Sequence, residues 1–172
     1  MRYLIVVDMQ KDFVTGCLGS DSARAIVSRA ADEVKNFDGS VIFTMDTHNE
    51  DYMSTQEGSK LPVVHCVKDT DGWQIIDELR PYAKDCITKP TFGSVDLAQR
   101  LAKENAAEPI ESIELIGVCT SICVISNAML IKAYLPEVPV SVKADCCACV
   151  SEESHNAALT AMETAQIEIV RD

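Results

Sequence analysis

Five consecutive apolar residues, Tyr3-Leu4-Ile5-Val6-Val7, run straight into Asp8. An unbroken apolar run of strand length needs cover on both faces. A parallel sheet flanked by helices supplies that cover, whereas a half-solvated antiparallel sheet calls for alternation. The chain continues accordingly, with strand-like apolar runs alternating with stretches of helical periodicity. Ser20 or Asp21 can cap a helix in which Ala23, Ile26, Val27, Ala30 and Val34 share one face. Gly39 closes that stretch, and Ser40–Met45 reads as a second strand. Residues 46–82 read as irregular apart from a short helix expected near Gln74–Leu79, and a polar segment of that length inside a compact domain is usually functional.

Asp85–Thr88 is a short third strand, and Lys89 at its end is held extended by the following Pro90. Ser94 can cap a helix carrying Leu97, Ala98 and Leu101. Ser112–Gly117 is a fourth strand, with a helix expected from about Ser121 to Tyr134. Val138–Val142 and Ile167–Val170 supply the last two strands, and between them Ser151 opens a helix bearing Ala158, Leu159 and Met162. The expectation is an α/β chain with a three-layer, doubly wound fold, a six-stranded, mainly parallel sheet, and one domain over residues 1–172.

Fifteen Lys and Arg against 27 Asp and Glu give a net charge of −12. Such a chain lacks the basic face that phosphate neutralisation requires, so neither a nucleic acid nor an anionic membrane is an expected partner. No apolar run approaches the ~18 residues of a membrane span, and Asp8 interrupts the N-terminal run before it reaches signal-peptide length. The eight cysteines are therefore read as reduced thiols of a cytoplasmic protein. Cys146, Cys147 and Cys149 lack paired CxxC spacing and read as small buried residues near a strand end.

In an open α/β sheet the ligand crevice lies at the C-terminal strand ends. Three reactive side chains map there from separate strands: Asp8, Lys89 and Cys123. A thiol at a helix start beside a lysine has its thiolate stabilised, and a nearby carboxylate can take its proton. Taken singly, each has a plainer reading: Asp8 as a turn residue, Lys89 as a solvated charge, Cys123 as core packing. Asp46 and His48 follow the second strand and point to one side of an extended segment. With Glu57 and His65 further along the same loop they form a mixed imidazole–carboxylate set. Such a set suits zinc, manganese or ferrous iron, although loop histidines without an ion have the same spacing. His155 lies away from any carboxylate pair and reads as structural.

The segments LIVVDMQKDFVTGCLG, TKPTFGS and IGVCTSICV, in that order, resemble the isochorismatase-like cysteine hydrolase superfamily over nearly the whole chain. The stretch MDTHNEDY…EGSKLPVVHCV is similar to the metal loop of its nicotinamidase-like branch. The resemblance implies Cys123 as nucleophile, Lys89 and Asp8 as its partners, and one divalent ion on Asp46, His48, Glu57 and His65. It also implies backbone N–H groups of Cys119 and Cys123 as the oxyanion hole, with a cis bond between Val118 and Cys119. Phe13, Leu61 and Phe92 are the candidate walls of a substrate pocket, with core packing the alternative for the two phenylalanines. The expected reaction is hydrolysis of nicotinamide to nicotinate and ammonia through a cysteine thioester. Another small carboxamide, carbamoyl or ureido compound is the alternative substrate, and a non-catalytic metal-binding role is the alternative class. A homo-oligomer is a further expectation. The sequence departs from the family pattern where Ser121 replaces the usual Asp, where Leu61 replaces an often aromatic wall, and at Trp73.

Overall fold

A computed structural model describes residues 1–171. Six strands form one all-parallel sheet in the order β3-β2-β1-β4-β5-β6. They are β1 (Arg2–Val7), β2 (Ser40–Asp46), β3 (Cys86–Lys89), β4 (Ser112–Val118), β5 (Val140–Ala148) and β6 (Glu168–Val170). The central strand β1 is the apolar run that opens the chain, and Tyr3 to Val7 are all buried. Edge strands β3 and β6 are short and half-exposed, which suits strands with neighbours on one side only.

Helices α5 (Val95–Ala107), α6 (Ile125–Tyr134) and α7 (Glu152–Thr164) cover one face. Leu97 and Leu101 of α5, Ile131 of α6 and Met162 of α7 pack there against Ile5 and Leu115. Helices α2 (Asp21–Ala25) and α3 (Val27–Asn36) cover the other, setting Ala30 and Val34 against Leu4, Val6 and Phe43. Ser20, Ser94 and Ser151 cap α2, α5 and α7 by accepting the N–H groups of Ala23, Leu97 and Ser154. The fold is thus the three-layer α/β arrangement expected, with strand order reversing between β1 and β4. That reversal opens the ligand crevice of such sheets.

Three local expectations are corrected. Residues 74–79 form no helix: the Lys11 N–H donates to the Gln74 carbonyl and the Ile76 N–H to the Met9 carbonyl, which draws the segment out against the chain after β1. Strand β5 runs to Ala148 rather than ending at Val142, because its polar residues are satisfied locally; Lys143 Nζ lies 2.6 Å from Glu33 of α3. Helix α6 starts at Ile125, and residues Thr120–Val124 before it form a π-helical turn. Two short helices, α1 (Lys11–Val14) and α4 (Gln56–Lys60), were not foreseen.

Gly117 sits in β4 beside β1 with φ of +119°, and a Cβ there would lie 2.1 Å from the Val7 carbonyl oxygen. Backbone rather than a flexible side chain blocks that space. Gly117→Ala is expected to lower stability by at least ~2 kcal/mol, read as a shifted urea midpoint at unchanged slope.

Candidate active site

Asp8, at the end of β1, adopts φ of +49°, a left-handed conformation that aspartate tolerates better than bulky or β-branched residues. The turn buries its carboxylate completely beneath the β1–β4 crevice. The Thr44 hydroxyl donates to Asp8 Oδ1 at 2.6 Å, and Lys89 Nζ, at the end of β3, lies 2.7 Å from Oδ2. Apart from this ion pair the buried Oδ2 has no hydrogen-bond partner among the described residues and keeps acceptor capacity. Lys89 is 1% exposed. A buried ammonium needs partners, and Nζ also reaches Asp46 Oδ1 at 3.3 Å, the Thr91 carbonyl at 3.1 Å and Cys123 Sγ at 3.5 Å.

Cys123 lies within the π turn rather than at the start of a regular helix. The Asn127 side chain secures it, donating to the Cys123 carbonyl at 2.8 Å while accepting the Ser94 N–H at 2.9 Å. One buried amide thereby ties the π turn to the cap of α5. The Val118–Cys119 bond just before the turn is cis.

Burial raises the pKa of the Cys123 thiol, the Asp8 charge raises it further, and Lys89 opposes both. Burial also raises the Asp8 carboxyl, with Lys89 pulling it back. Burial favours the neutral amine of Lys89, but the charges of Asp8, of Cys123 in its thiolate form and of Asp46 outweigh it and raise the pKa. Burial thus favours the neutral thiol, and the Lys89 cation is positioned to stabilise both the Asp8 carboxylate and a Cys123 thiolate.

Asp46 joins this cluster to a second one. Its Oδ2 lies 2.9 Å from His48 Nε2 and 3.6 Å from His65 Nε2, while Glu57 Oε1 is 3.8 Å from each ring nitrogen. One donor atom from each of the four residues falls within a 4.8 Å sphere of mutual distances. Four ligands at zinc's bond lengths stand about 3.3 Å apart in a tetrahedron, so these spacings fit one ion with small adjustments. His65 Nδ1 lies 2.7 Å from the Val63 carbonyl, a contact that fixes the ring and leaves Nε2 free to coordinate. Burial disfavours charge on both Asp46 and His65. The His48 and His65 contacts nevertheless hold the Asp46 pKa below the usual carboxylate range, and Asp46 holds that of His65 up.

Gln10, Tyr52 and α4 build this second cluster, and sequence reasoning missed all three. The Gln10 side chain accepts the Asp46 N–H at 2.7 Å and donates to the Asp46 carbonyl at 2.9 Å. Tyr52 is fully buried edge-on against both His48 and His65, and its hydroxyl donates to the Leu61 carbonyl. The single turn of α4, capped by Thr55, presents Glu57. Gln10, two residues after Asp8 where the opening apolar run ends, was the one signal available beforehand.

A cavity of about 570 Å³ opens over Cys123, with Asp46, Glu57 and His65 also in its wall. Phe13, Leu61 and Phe92 line it, joined by Leu18, Ile122 and Val150, which the sequence did not single out. Phe13 meets His65 edge-on at 5.5 Å. Cys119 lines the cavity too, whereas Cys146 and Cys147 are buried in β5, outside the candidate metal cluster among the described residues. Trp73 turns away from the cavity wall, and its Nε1 donates to Thr47 at 2.8 Å. Among the described residues no helix is long and apolar enough to cross a membrane.

The Isochorismatase domain family matches residues 2–171. The chain belongs to that family. A curated relative, an uncharacterised isochorismatase family protein PncA of Bacillus subtilis strain 168, is 27% identical over 177 residues and covers 92% of each chain. The pyrazinamidase of Pyrococcus horikoshii, solved in complex with zinc, superposes with a TM-score of 0.85 at 25% identity over 99% of both chains. The pyrazinamidase/nicotinamidase of Streptococcus mutans UA159 gives 0.83 at 26% identity, over 99% of this chain and all of the other. In this member of the isochorismatase domain family, Ser121 of the π turn contacts Cys149 Sγ at 3.0 Å. The turn therefore has a side-chain tie in the position where the sequence departs from the family pattern.

Proposed function

We propose that this chain is a metal-assisted cysteine amidohydrolase acting on a small carboxamide, with nicotinamide as the preferred substrate. The observation that carries the reading is the buried contact of Lys89 with Asp8, Asp46 and Cys123, directly beside a four-residue cation set and beneath one cavity. The amidase activities named for the Pyrococcus and Streptococcus proteins support it.

In this scheme Asp8 Oδ2 accepts the Cys123 proton and Lys89 stabilises the thiolate. Sulfur attacks the carboxamide carbon, and the N–H groups of Cys119 and Cys123 receive the oxyanion. The tetrahedral adduct collapses to a thioester as Asp8 returns the proton to the departing ammonia. Water then attacks the thioester, giving up a proton to Asp8, and the thiol is re-formed with release of the acid. Asp46, His48, Glu57 and His65 would hold the ion. When bound, it supplies a Lewis-acid anchor for a ring nitrogen of the substrate. Phe13 and Phe92 offer apolar faces to the ring, and Leu61 and Ile122 make the remaining wall aliphatic.

Ammonia release from nicotinamide, measured alongside elemental analysis of the purified protein, tests the reading directly. Turnover of carbamoyl or ureido compounds with none of nicotinamide would overturn the substrate assignment and retain the chemistry. Treatment with a strong chelator, or His48→Ala, is expected to raise KM and lower kcat, with zinc restoring the chelated wild type. Full activity in a preparation shown to be metal-free would reject the metal's role.

A further inference from the structure

The π turn carrying Cys123 is fastened on two sides. Asn127 holds its inner side through the Cys123 carbonyl. Its outer side is tied at consecutive residues to the β5–α7 connection and to the first turn of α7. Ser121 Oγ meets Cys149 Sγ at 3.0 Å, and the fully buried Thr120 hydroxyl lies 2.8 Å from His155 Nδ1. The anchoring elements are themselves held. The Ser22 hydroxyl donates to the Cys149 carbonyl at 2.8 Å, and the His155 N–H donates to the carbonyl of Ser151, which caps α7. None of these groups belongs to the Asp8–Lys89–Cys123 cluster or to the four cation-site residues.

We propose that His155 is a positioning residue for the reaction at Cys123, acting through Thr120 on the backbone that offers the oxyanion donors. The inference rests on the amidohydrolase reading above. Thr120 directly follows Cys119 and lies three residues before Cys123, whose N–H groups are those donors in the proposed scheme. Fixing its side chain fixes the backbone between them. Burial holds the His155 pKa below the ordinary histidine value, against the raising influence of Asp145 and Glu152 and with Arg171 reinforcing it. Nδ1 of the neutral ring pairs with the buried Thr120 hydroxyl, as acceptor in one tautomer and as donor in the other, and without that nitrogen the hydroxyl has to give up the hydrogen bond. Donors aimed where charge develops act in the transition state more than in substrate binding, so loosening them lowers kcat and spares KM.

The test uses the zinc-loaded full chain and three readouts: ammonia release from nicotinamide, acetylation of Cys123 by p-nitrophenyl acetate followed by peptide mass, and alkylation of Cys123 by iodoacetamide. His155→Leu keeps much of the volume and removes the hydrogen-bonding nitrogen, while His155→Asn places a side-chain amide, able to accept or donate, near the lost Nδ1. The Leu variant is expected to lose roughly tenfold or more in kcat and in acetylation rate. Its KM and its alkylation rate should stay close to wild type, and the Asn variant should recover most of the loss. A Leu variant as fast as wild type overturns the proposal. So does an Asn variant as slow as the Leu variant, or an alkylation rate that falls in parallel, since either result assigns His155 to packing alone. A wild type that acetylates Cys123 but releases no ammonia from carboxamides defeats the amidohydrolase reading, and the acetylation rates of the variants still judge His155. Absence of both acetylation and ammonia release in the wild type overturns both.

Discussion

Replacing Cys123 with alanine is expected to abolish amide turnover, a loss of about 10⁴-fold or more, comparable to deletion of a nucleophile in other covalent hydrolases. The fold should survive. Cys123 is small and buried, and its side chain joins the core beneath α6. Removing one sulfur atom there costs on the order of 1 kcal/mol. The thiol is also held neutral by burial, so no ion pair is broken when it goes. Ammonia release and thermal denaturation measured on one preparation separate the two effects. Activity near wild type in Cys123→Ala would remove the covalent scheme, whatever the rest of the site does.

Lys89→Met is expected to damage stability and catalysis together. The wild-type ammonium sits between Asp8 Oδ2 at 2.7 Å and Asp46 Oδ1 at 3.3 Å, and both carboxylates are buried. Methionine fills much of the space but leaves two like charges facing each other without a cation. Removing one partner of a buried ion pair costs about 3–5 kcal/mol, a large fraction of the stability of a chain this size. Asp8 answers by holding its proton, because burial and the Asp46 charge both push its pKa upward and Lys89 was the main force pulling it down. A protonated Asp8 cannot accept the thiol proton, so kcat should fall by orders of magnitude even where the variant folds. Urea denaturation with a midpoint close to wild type would show that the ammonium is not the counter-charge of this cluster. Lys89→Arg should not rescue activity, since a planar guanidinium does not fit a site built around one nitrogen.

The contrast between these two residues shows what kind of site this is. In the proposed scheme Cys123 supplies reactivity and little stability. Lys89 supplies both, since Asp46 shares its charge with the candidate cation set. Substitutions in either cluster should therefore be felt in the other, and double-mutant cycles between His48 and Lys89 are the direct way to measure that coupling.

The sequence determined the layers, the strand count and the chain segments that meet at the crevice. An apolar run buried on both faces leaves a parallel sheet as its natural setting, and capping serines fix helix starts by local hydrogen bonds. These are short-range rules, and residues such as Ser94 and Ser151 state them openly. Asp8, Lys89 and the Asp46–His48 pair could be placed at strand ends because strand ends are visible as the points where apolar runs stop.

Tertiary structure alone decided the rest. Helix α4 is one turn long and has no periodicity to detect, yet it carries Glu57. The apolar residues Ile75, Ile76 and Leu79 have helical spacing, but pairing with the chain after β1 gave that backbone its partners and buried all three. The anchors of the π turn at Asn127 and His155 depend on groups 4 to 35 residues apart meeting in space. Patterning in a sequence reports which face of an element is buried. It carries no record of which distant polar group satisfies a buried amide or hydroxyl, and those contacts are what hold the sulfur, the amine and the carboxylate within reach of one another.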